Sequence, residues 1–508
     1  MRSVSDILCL EDLFFHNSNQ DPSGTAIESP GYTPLTYREL QDQIRYVVKS
    51  LAGQGLSRKD RIAIVTSGGP ETGVLIISVM TGFTGATLNP QFRAGEYRQY
   101  FRKFRINAVI IRRGDATPAR EAAEQEGIPV IEMIPEGVRA GRFSLVPAAP
   151  SDKPAVFAGP DDIAILIQTS GTTAAPKIVP LQHRLICTVA RRVCATFRFS
   201  QTDRCLHIAP YYHTMGIFGN FIAPLCAGGT VICTRDFIAP DIVMYLRQYR
   251  PTFYSAGPAV HQAILRELKK CPPGDLKPNS LRFIRSASAA LPDRIRDELE
   301  TILGVPLIET YGMSEVGGAI TTNLPPAKRG SVGKPVVPHL AIMDENGIIL
   351  PQDTEGEIVV KGEVVFQGYD DAADENASVF TNGWFRTGDI GYLDAEGYLY
   401  LTGRKKELIN KGGEKIAPVE VDDVLSSHPL VKEAMCFKIP DPALGEDIAA
   451  LVVRNSPDLT ELELRAYLLD RIAPFKVPRK IHFVDAVPRN PTGKPLRRAG
   501  TEKYSADG

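Results

Sequence analysis

At 508 residues, with 58 basic and 59 acidic side chains and a net charge of −1, the chain has no charge excess that would draw it to nucleic acid or an anionic membrane. Its 43% hydrophobic and 23% charged residues are the composition of a soluble globular protein, and the length suggests about two to four folding units. No uninterrupted apolar stretch approaches the roughly 20 residues that span a bilayer.

In chain order, the apolar spacing from Tyr37 to Leu51 is helical, and Arg61–Val65 then reads as a buried strand. Ala108–Ile111 and Pro129–Glu132 are short strands separated by helical stretches. Thr230–Cys233 follows Gly228-Gly229, and Thr252–Ser255 follows a helix-like Ile242–Tyr249. Such alternation argues parallel sheets covered by helices. From about residue 330 to 400 the pattern changes to short strands with tight turns, including Asp344-Glu-Asn-Gly347 and Asp394-Ala-Glu-Gly397, as in a small β-barrel-like unit. After Arg404 the chain has its own α/β set: Val419–Ser427 helical, Val431–Lys438 and Ala449–Val453 strands, Leu462–Ala473 helical.

The eight cysteines form no CxxC pair and read as buried thiols of a reducing compartment. The eight histidines show no HExxH spacing, so structural zinc is not expected. The N-terminus lacks a secretion-signal pattern and the C-terminus lacks a peroxisomal or prenylation motif, which makes cytoplasm the expected location.

Four segments carry chemistry. The run Ile163–Ile167 empties into Thr169, Ser170, Gly171, Thr172 and Thr173, with Lys177 close behind. Hydroxyls and backbone N–H groups around a glycine after a strand suit a polyphosphate, and the Gly-Lys-Ser/Thr of the nucleoside-triphosphatase loop is absent. Glu309-Thr-Tyr-Gly-Met-Ser-Glu315 offers an aromatic to stack a base, a glycine, the Ser314 hydroxyl for a phosphate and the Glu315 carboxylate for Mg²⁺. One carboxylate is enough, because Mg²⁺ in such sites takes its other ligands from substrate phosphates and water. Trp384-Phe-Arg-Thr-Gly-Asp389 places a carboxylate that can accept from two ribose hydroxyls. Finally, Leu401–Pro418 packs seven charged side chains and the pair Gly412-Gly413 between apolar residues. Adjacent glycines let a slender ligand lie against the main chain, and the charge density suits a solvated hinge facing anions.

Thr169–Val179, Tyr311–Glu315, Arg386–Asp389, Gly403-Arg404 and Pro491-Thr-Gly-Lys494, in that order and spacing, resemble the adenylate-forming superfamily. That superfamily includes acyl-CoA synthetases, peptide-synthetase adenylation domains and beetle luciferases, and the chain is most like the acyl-CoA synthetases. The resemblance runs from about Leu35 to Arg498. It implies an α/β fold with a large N-terminal domain, residues 1–403, built of two helix-covered sheets plus a β-rich subdomain at about 330–403. A small mobile α+β domain, residues 404–508, would pivot near Lys406.

The resemblance also implies ATP (bound as AMP after reaction), Mg²⁺ and coenzyme A as cofactors, and a carboxylic acid as substrate. Lys494 would be the catalytic cation between carboxylate and α-phosphate, Arg404 would hold ribose and phosphate, and His213 would gate the acyl pocket. Ser288-Ala289-Ala290 would form the adenine platform, with Tyr311 stacking the base and Asp389 on the ribose. Gly257, Ser286 and Gly312 would line the acyl pocket, and Gly412 and Gly413 the pantetheine tunnel. Two positions depart from the pattern: Ala174 and Ile178 stand where the superfamily has glycine. They leave open a partial enzyme that makes thioesters only from preformed acyl-AMP. A free-standing carrier protein, loaded in trans, is the alternative acceptor to CoA, and nothing here indicates an oligomeric state.

Overall fold

The computed structural model describes residues 7–147, 155–169, 177–235, 237–272, 274, 276, 279–412, 414–489 and 495–504. The described residues form four sheets, two of them large. The seven-stranded sheet runs Phe143–Val146, Val130–Pro135, Ala108–Arg112, Arg61–Val65, Thr84–Thr87, Ile163–Thr169, Lys177–Gln182, parallel except at its two outer pairs. The nine-stranded sheet is parallel from Leu307–Met313 through Phe283–Ala287, Phe253–Ala256, Arg204–His207 and Thr230–Cys233 to Thr25–Glu28, with antiparallel strands at both edges.

Strands covered on both faces need apolar residues at every position rather than at alternate ones, and Ala108–Arg112 and Thr230–Cys233 are buried throughout. One apolar core lies between the two sheets and joins Ile62, Ile64 and Ile165 of the first to Cys205, Val231 and Phe253 of the second. Helix Pro70–Gly82, buried along its whole length, fills that layer. The amphipathic helix Tyr37–Gly53 starts at a capping box in which Thr36 and Glu39 satisfy each other's backbone N–H groups. Separate cores cover the outer faces, one under Ala94–Phe104 and Ala119–Gln125, the other under Pro258–Leu268 and Asp293–Leu303.

Beyond the large sheets, the expected β-rich segment is an antiparallel unit centred on strand Trp384–Leu393, which pairs with Gly356–Lys361, Phe380–Thr381 and Leu399–Arg404. The small C-terminal domain follows, with strands Ile409–Lys411, Glu414–Ile416, Val431–Asp441, Gly445–Arg454 and Lys480–Phe483 in one sheet. Helices Pro418–Ser426 and Glu461–Leu469 cover it through Val421, Leu425, Leu464 and Leu468. No helix among the described residues is long and apolar enough to cross a membrane. The stretch expected to be helical from Ile242 to Tyr249 is one α-turn, Ile242–Met244, continued as a π-helical turn, Tyr245–Tyr249.

One clamp sets the position of the β-rich unit on the seven-stranded sheet. Arg61 contacts both oxygens of Asp370 at 2.6 and 3.3 Å while also donating to the Phe104 carbonyl, and the Asp370 N–H donates to the Ile178 carbonyl. Asp370→Ala is predicted to destabilise the protein by about 1–2 kcal/mol, since a charge-assisted pair only about one-fifth exposed is lost. Urea unfolding of the full chain measures this, and a loss under about 0.3 kcal/mol would contradict the clamp.

Candidate active site

Strand Leu307–Met313 ends in a tight reversal that builds the site. A side chain at Gly312 would put its Cβ 1.9 Å from the Gly318 carbonyl oxygen, so glycine is required there for the chain to double back onto Gly318–Thr322. The ladder shifts register between Tyr311 and Gly312, a bulge of the kind that re-aims side chains beside functional sites. The short turn Ser314–Val316 then carries Glu315 inward, where it is 5% exposed.

Glu315 does not stand alone. The Tyr369 hydroxyl donates to its Oε1 at 2.8 Å, and the Phe366 N–H donates to its backbone carbonyl at 2.8 Å. Burial pushes the Glu315 carboxyl up from the usual carboxylate range, while the Tyr369 bond pulls it back. Lys177 stands over the Tyr369 ring with Nζ 4.4 Å from the ring centre, a cation–π contact. Burial lowers the Lys177 ammonium, the nearby Lys406 charge lowers it further, and Glu375 and Glu315 oppose the shift.

A second chain of contacts meets the first. The Tyr311 hydroxyl donates to Asp389 Oδ2 at 2.6 Å, and Arg404 Nε lies 2.7 Å from Asp389 Oδ1. Asp389 and Arg404 are cross-strand partners in the antiparallel pair Trp384–Leu393 and Leu399–Arg404. Burial raises the Tyr311 phenol well above its ordinary value, and the Asp389 charge adds to this. The same Asp389 charge raises the Arg404 guanidinium. Glu357 braces the strand end by accepting from Arg386 Nε at 2.8 Å and from the Gly388 N–H at 3.1 Å.

The structure therefore brings together Lys177, Tyr311, Glu315, Asp389, Arg404 and, by its charge, Lys406. Ser288, Ala289 and Ala290 form an exposed loop after strand Phe283–Ala287, with Ser288 in the left-handed region at φ +79°. His213 is half-buried beside Tyr212, ring centres 4.7 Å apart, just before the π-helical segment Met215–Ile222. Ser314 opens the turn that carries Glu315. Gly412 is the left-handed turn residue of the hairpin Ile409–Lys411 and Glu414–Ile416, and its N–H donates to the Leu444 carbonyl at 2.9 Å. Ser170, Gly171, Thr172, Thr173, Ala174, Gly413 and Lys494 lie outside the described residues, as does the side chain of Thr169.

Ile178, the departure from glycine, turns its side chain into the core with Leu166 and Val65 and is 3% exposed. Two residues escaped the sequence analysis. Tyr369 offered only an aromatic next to Gly368 as a signal, and Glu357 sat in an otherwise apolar strand. The donor set fits Mg²⁺ shared with a nucleotide: Asp389 and Glu357 are paired with Arg404 and Arg386, which leaves the buried Glu315 carboxylate, and no cluster of three or more His, Cys, Asp or Glu occurs among the described residues.

AMP-binding enzymes match residues 14–370, and the AMP-binding enzyme C-terminal domain matches residues 420–494. The chain belongs to the AMP-binding enzyme family. An oxalate–CoA ligase of Arabidopsis thaliana is 34% identical over 97% of this chain and 98% of its own length. A sulfoacetate–CoA ligase of Cupriavidus necator is 34% identical over 91% of each. The crystal structure of ATP-bound MatB from Rhodopseudomonas palustris superposes with a TM-score of 0.87 at 29% identity, covering 97% of this chain and 99% of that one. The expected family and the expected α/β architecture with a large N-terminal and a small C-terminal domain are thus borne out.

Because Tyr311, Asp389 and Arg404 form one connected unit, their removals are predicted to be non-additive. Asp389→Asn and Arg404→Met should each slow ATP–pyrophosphate exchange by about 10–10²-fold, and the double variant should be slower than either alone by less than about threefold. Independent, multiplicative losses would show that the pair does not act together.

Proposed function

We propose that this AMP-binding enzyme is an acyl-CoA synthetase that makes an acyl-adenylate and then a CoA thioester. The observation that carries the reading is the meeting of Tyr311, Glu315, Asp389 and Arg404, from segments far apart in sequence, in one connected polar site. Relatives named as CoA ligases across almost the full chain support it. Two of them are named for oxalate and sulfoacetate, acids with a second anionic group beside the carboxylate to be activated.

In the first half-reaction a carboxylate oxygen of the acid attacks the α-phosphorus of ATP, and the bond to pyrophosphate breaks. Two anions approach each other, so the work is charge neutralisation and alignment. Lys177 and the loop Thr169–Thr173 take the phosphates in this reading, Glu315 would hold Mg²⁺, and Tyr311, Asp389 and Arg404 hold base and ribose. Mg²⁺ supplies neutralisation of phosphate charge. Lys494 supplies the cation where carboxylate and phosphate meet. In the second half-reaction the CoA sulfur attacks the acyl carbon and AMP leaves, with the pantetheine arm passing Gly412 and Gly413. The burial of the Ile178 side chain in the core weighs against the partial-enzyme alternative.

The two half-reactions separate the assigned roles. Lys494→Ala is expected to slow acyl-adenylate formation by about 10²–10³-fold and to leave conversion of supplied acyl-AMP plus CoA far less affected. Gly413→Leu is expected to do the reverse, sparing pyrophosphate exchange and blocking thioester formation. Stopped-flow or quench assays of each half-reaction read this out, and equal losses in both steps for either variant would remove that residue from its role.

A further inference from the structure

Three arginines are buried among the described residues, and two are conventionally paired. Arg112 lies 3.6 Å from Glu71, and Arg296 pairs with Glu309 and Asp293. Arg285 is the exception. It stands on strand Phe283–Ala287, is 4% exposed, and has no carboxylate partner among the described residues. Burial pulls its guanidinium down to about 10. A buried arginine without a counter-charge is costly, and natural cores avoid it unless something else supplies the anion.

The surroundings hold the guanidinium without neutralising it. Nη2 donates to Asn220 Oδ1 at 3.2 Å, the guanidinium faces the Phe197 ring at 5.3 Å, and Nε has no acceptor. Asn220 spends its own amide N–H on the Ser255 carbonyl at 3.3 Å. Ser255 is the cross-strand partner of Arg285, so both side chains share one face, and the Ser255 hydroxyl is likewise unpartnered. Gly219 leaves room for the guanidinium: a Cβ there would stand 2.4 Å from Nη2. Two unsatisfied donors and one unbalanced positive charge thus face the same seam.

That seam is linked to the candidate site through the elements that carry both. Gly219 and Asn220 belong to the π-helical segment that continues from the His213 motif, the kind of widened turn that recurs at functional sites. Arg285 precedes the exposed Ser288–Ala290 loop by three residues, about 10 Å of strand, and Ala287 pairs with Thr310, the neighbour of Tyr311.

We propose that Arg285, with Asn220 and Ser255, closes the far end of the acid pocket and binds a second anionic group of a short dianionic acid, a dicarboxylate or a sulfocarboxylate. This rests on the ligase reading above and deepens it by naming the substrate class. The planar guanidinium fork matches a carboxylate or sulfonate through two parallel hydrogen bonds. A monocarboxylate would leave the charge and both orphan donors buried and unpaired, which is how a polar site rejects an analogue lacking the group it was built for.

The test measures pyrophosphate release by the full-length protein with ATP and CoA across oxalate, malonate, succinate and sulfoacetate, against acetate, propionate, butyrate and benzoate. At least one dianion should exceed its chain-matched monocarboxylate by about 10²-fold or more in kcat/KM, and the carboxylate and sulfonate members tell the two anion types apart. Arg285→Met should collapse that ratio, chiefly through KM for the dianion, and Arg285→Lys should restore part of it. Asn220→Asp, nearly isosteric, places a carboxylate beside the guanidinium and should also abolish the preference; it decides the matter if Arg285→Met does not fold. A wild type that prefers monocarboxylates, or a ratio that survives Arg285→Met or Asn220→Asp, would overturn the assignment while leaving the ligase reading intact. No turnover with any acid would overturn both.

Discussion

The ion pair between Asp389 and Arg404 ties the candidate site to the strand that leads toward the C-terminal sheet. Asp389 is 4% exposed, and a carboxylate so buried must keep a positive partner close. The partner comes from the strand that leads out of the large domain, and the Lys405 N–H donates to the Gly388 carbonyl at 2.9 Å, fastening the next residue as well. The chain is thereby fastened to the large domain as far as Lys405, which supports the proposal of a pivot near the exposed Lys406.

The ion pair also governs how the site handles charge. Adenylation asks two anions to meet, and the residues around Glu315 lean positive through Lys177, Lys406 and Arg404. Lys177 and Arg404 are each held by a neighbour, Tyr369 and Asp389. Lys177 lies against the face of Tyr369, whose hydroxyl is given to Glu315, so a single aromatic side chain orients both Lys177 and the Glu315 carboxylate. Tyr369 in turn is held by the clamp that Arg61 makes on the adjacent Asp370. Pre-set donors and charges of this kind need little rearrangement as reaction proceeds, which is where electrostatic catalysis gains most.

Much of this was legible in the sequence. Uniform apolar runs such as Arg61–Val65 and Thr230–Cys233 announced strands buried on both faces, because backbone in a covered parallel sheet leaves no solvent side to mark. Tyr311, Glu315, Asp389 and Arg404 could be named because each lies in a short segment whose residue types state a chemical purpose. Tyr369 could not, since its partner Glu315 is 54 positions away and nothing local marks a tyrosine that donates across that gap. Arg285 was hidden for a related reason. A lone arginine inside an apolar strand looks like an edge or a surface residue until the missing counter-charge is seen in three dimensions. The π-helical segment Met215–Ile222 was equally invisible, because an extra residue per turn leaves the same apolar composition as an α-helix.

The most direct measurement follows oxygen from the acid to the nucleotide. The full-length protein is supplied with ATP, Mg²⁺, CoA and an acid labelled with ¹⁸O in the carboxylate, and the products are weighed by mass spectrometry. An acyl-adenylate route transfers one labelled oxygen to AMP and none to pyrophosphate. Label in inorganic phosphate alongside ADP, or AMP formed without label, would contradict acid activation at the α-phosphate and with it the function assigned to this site.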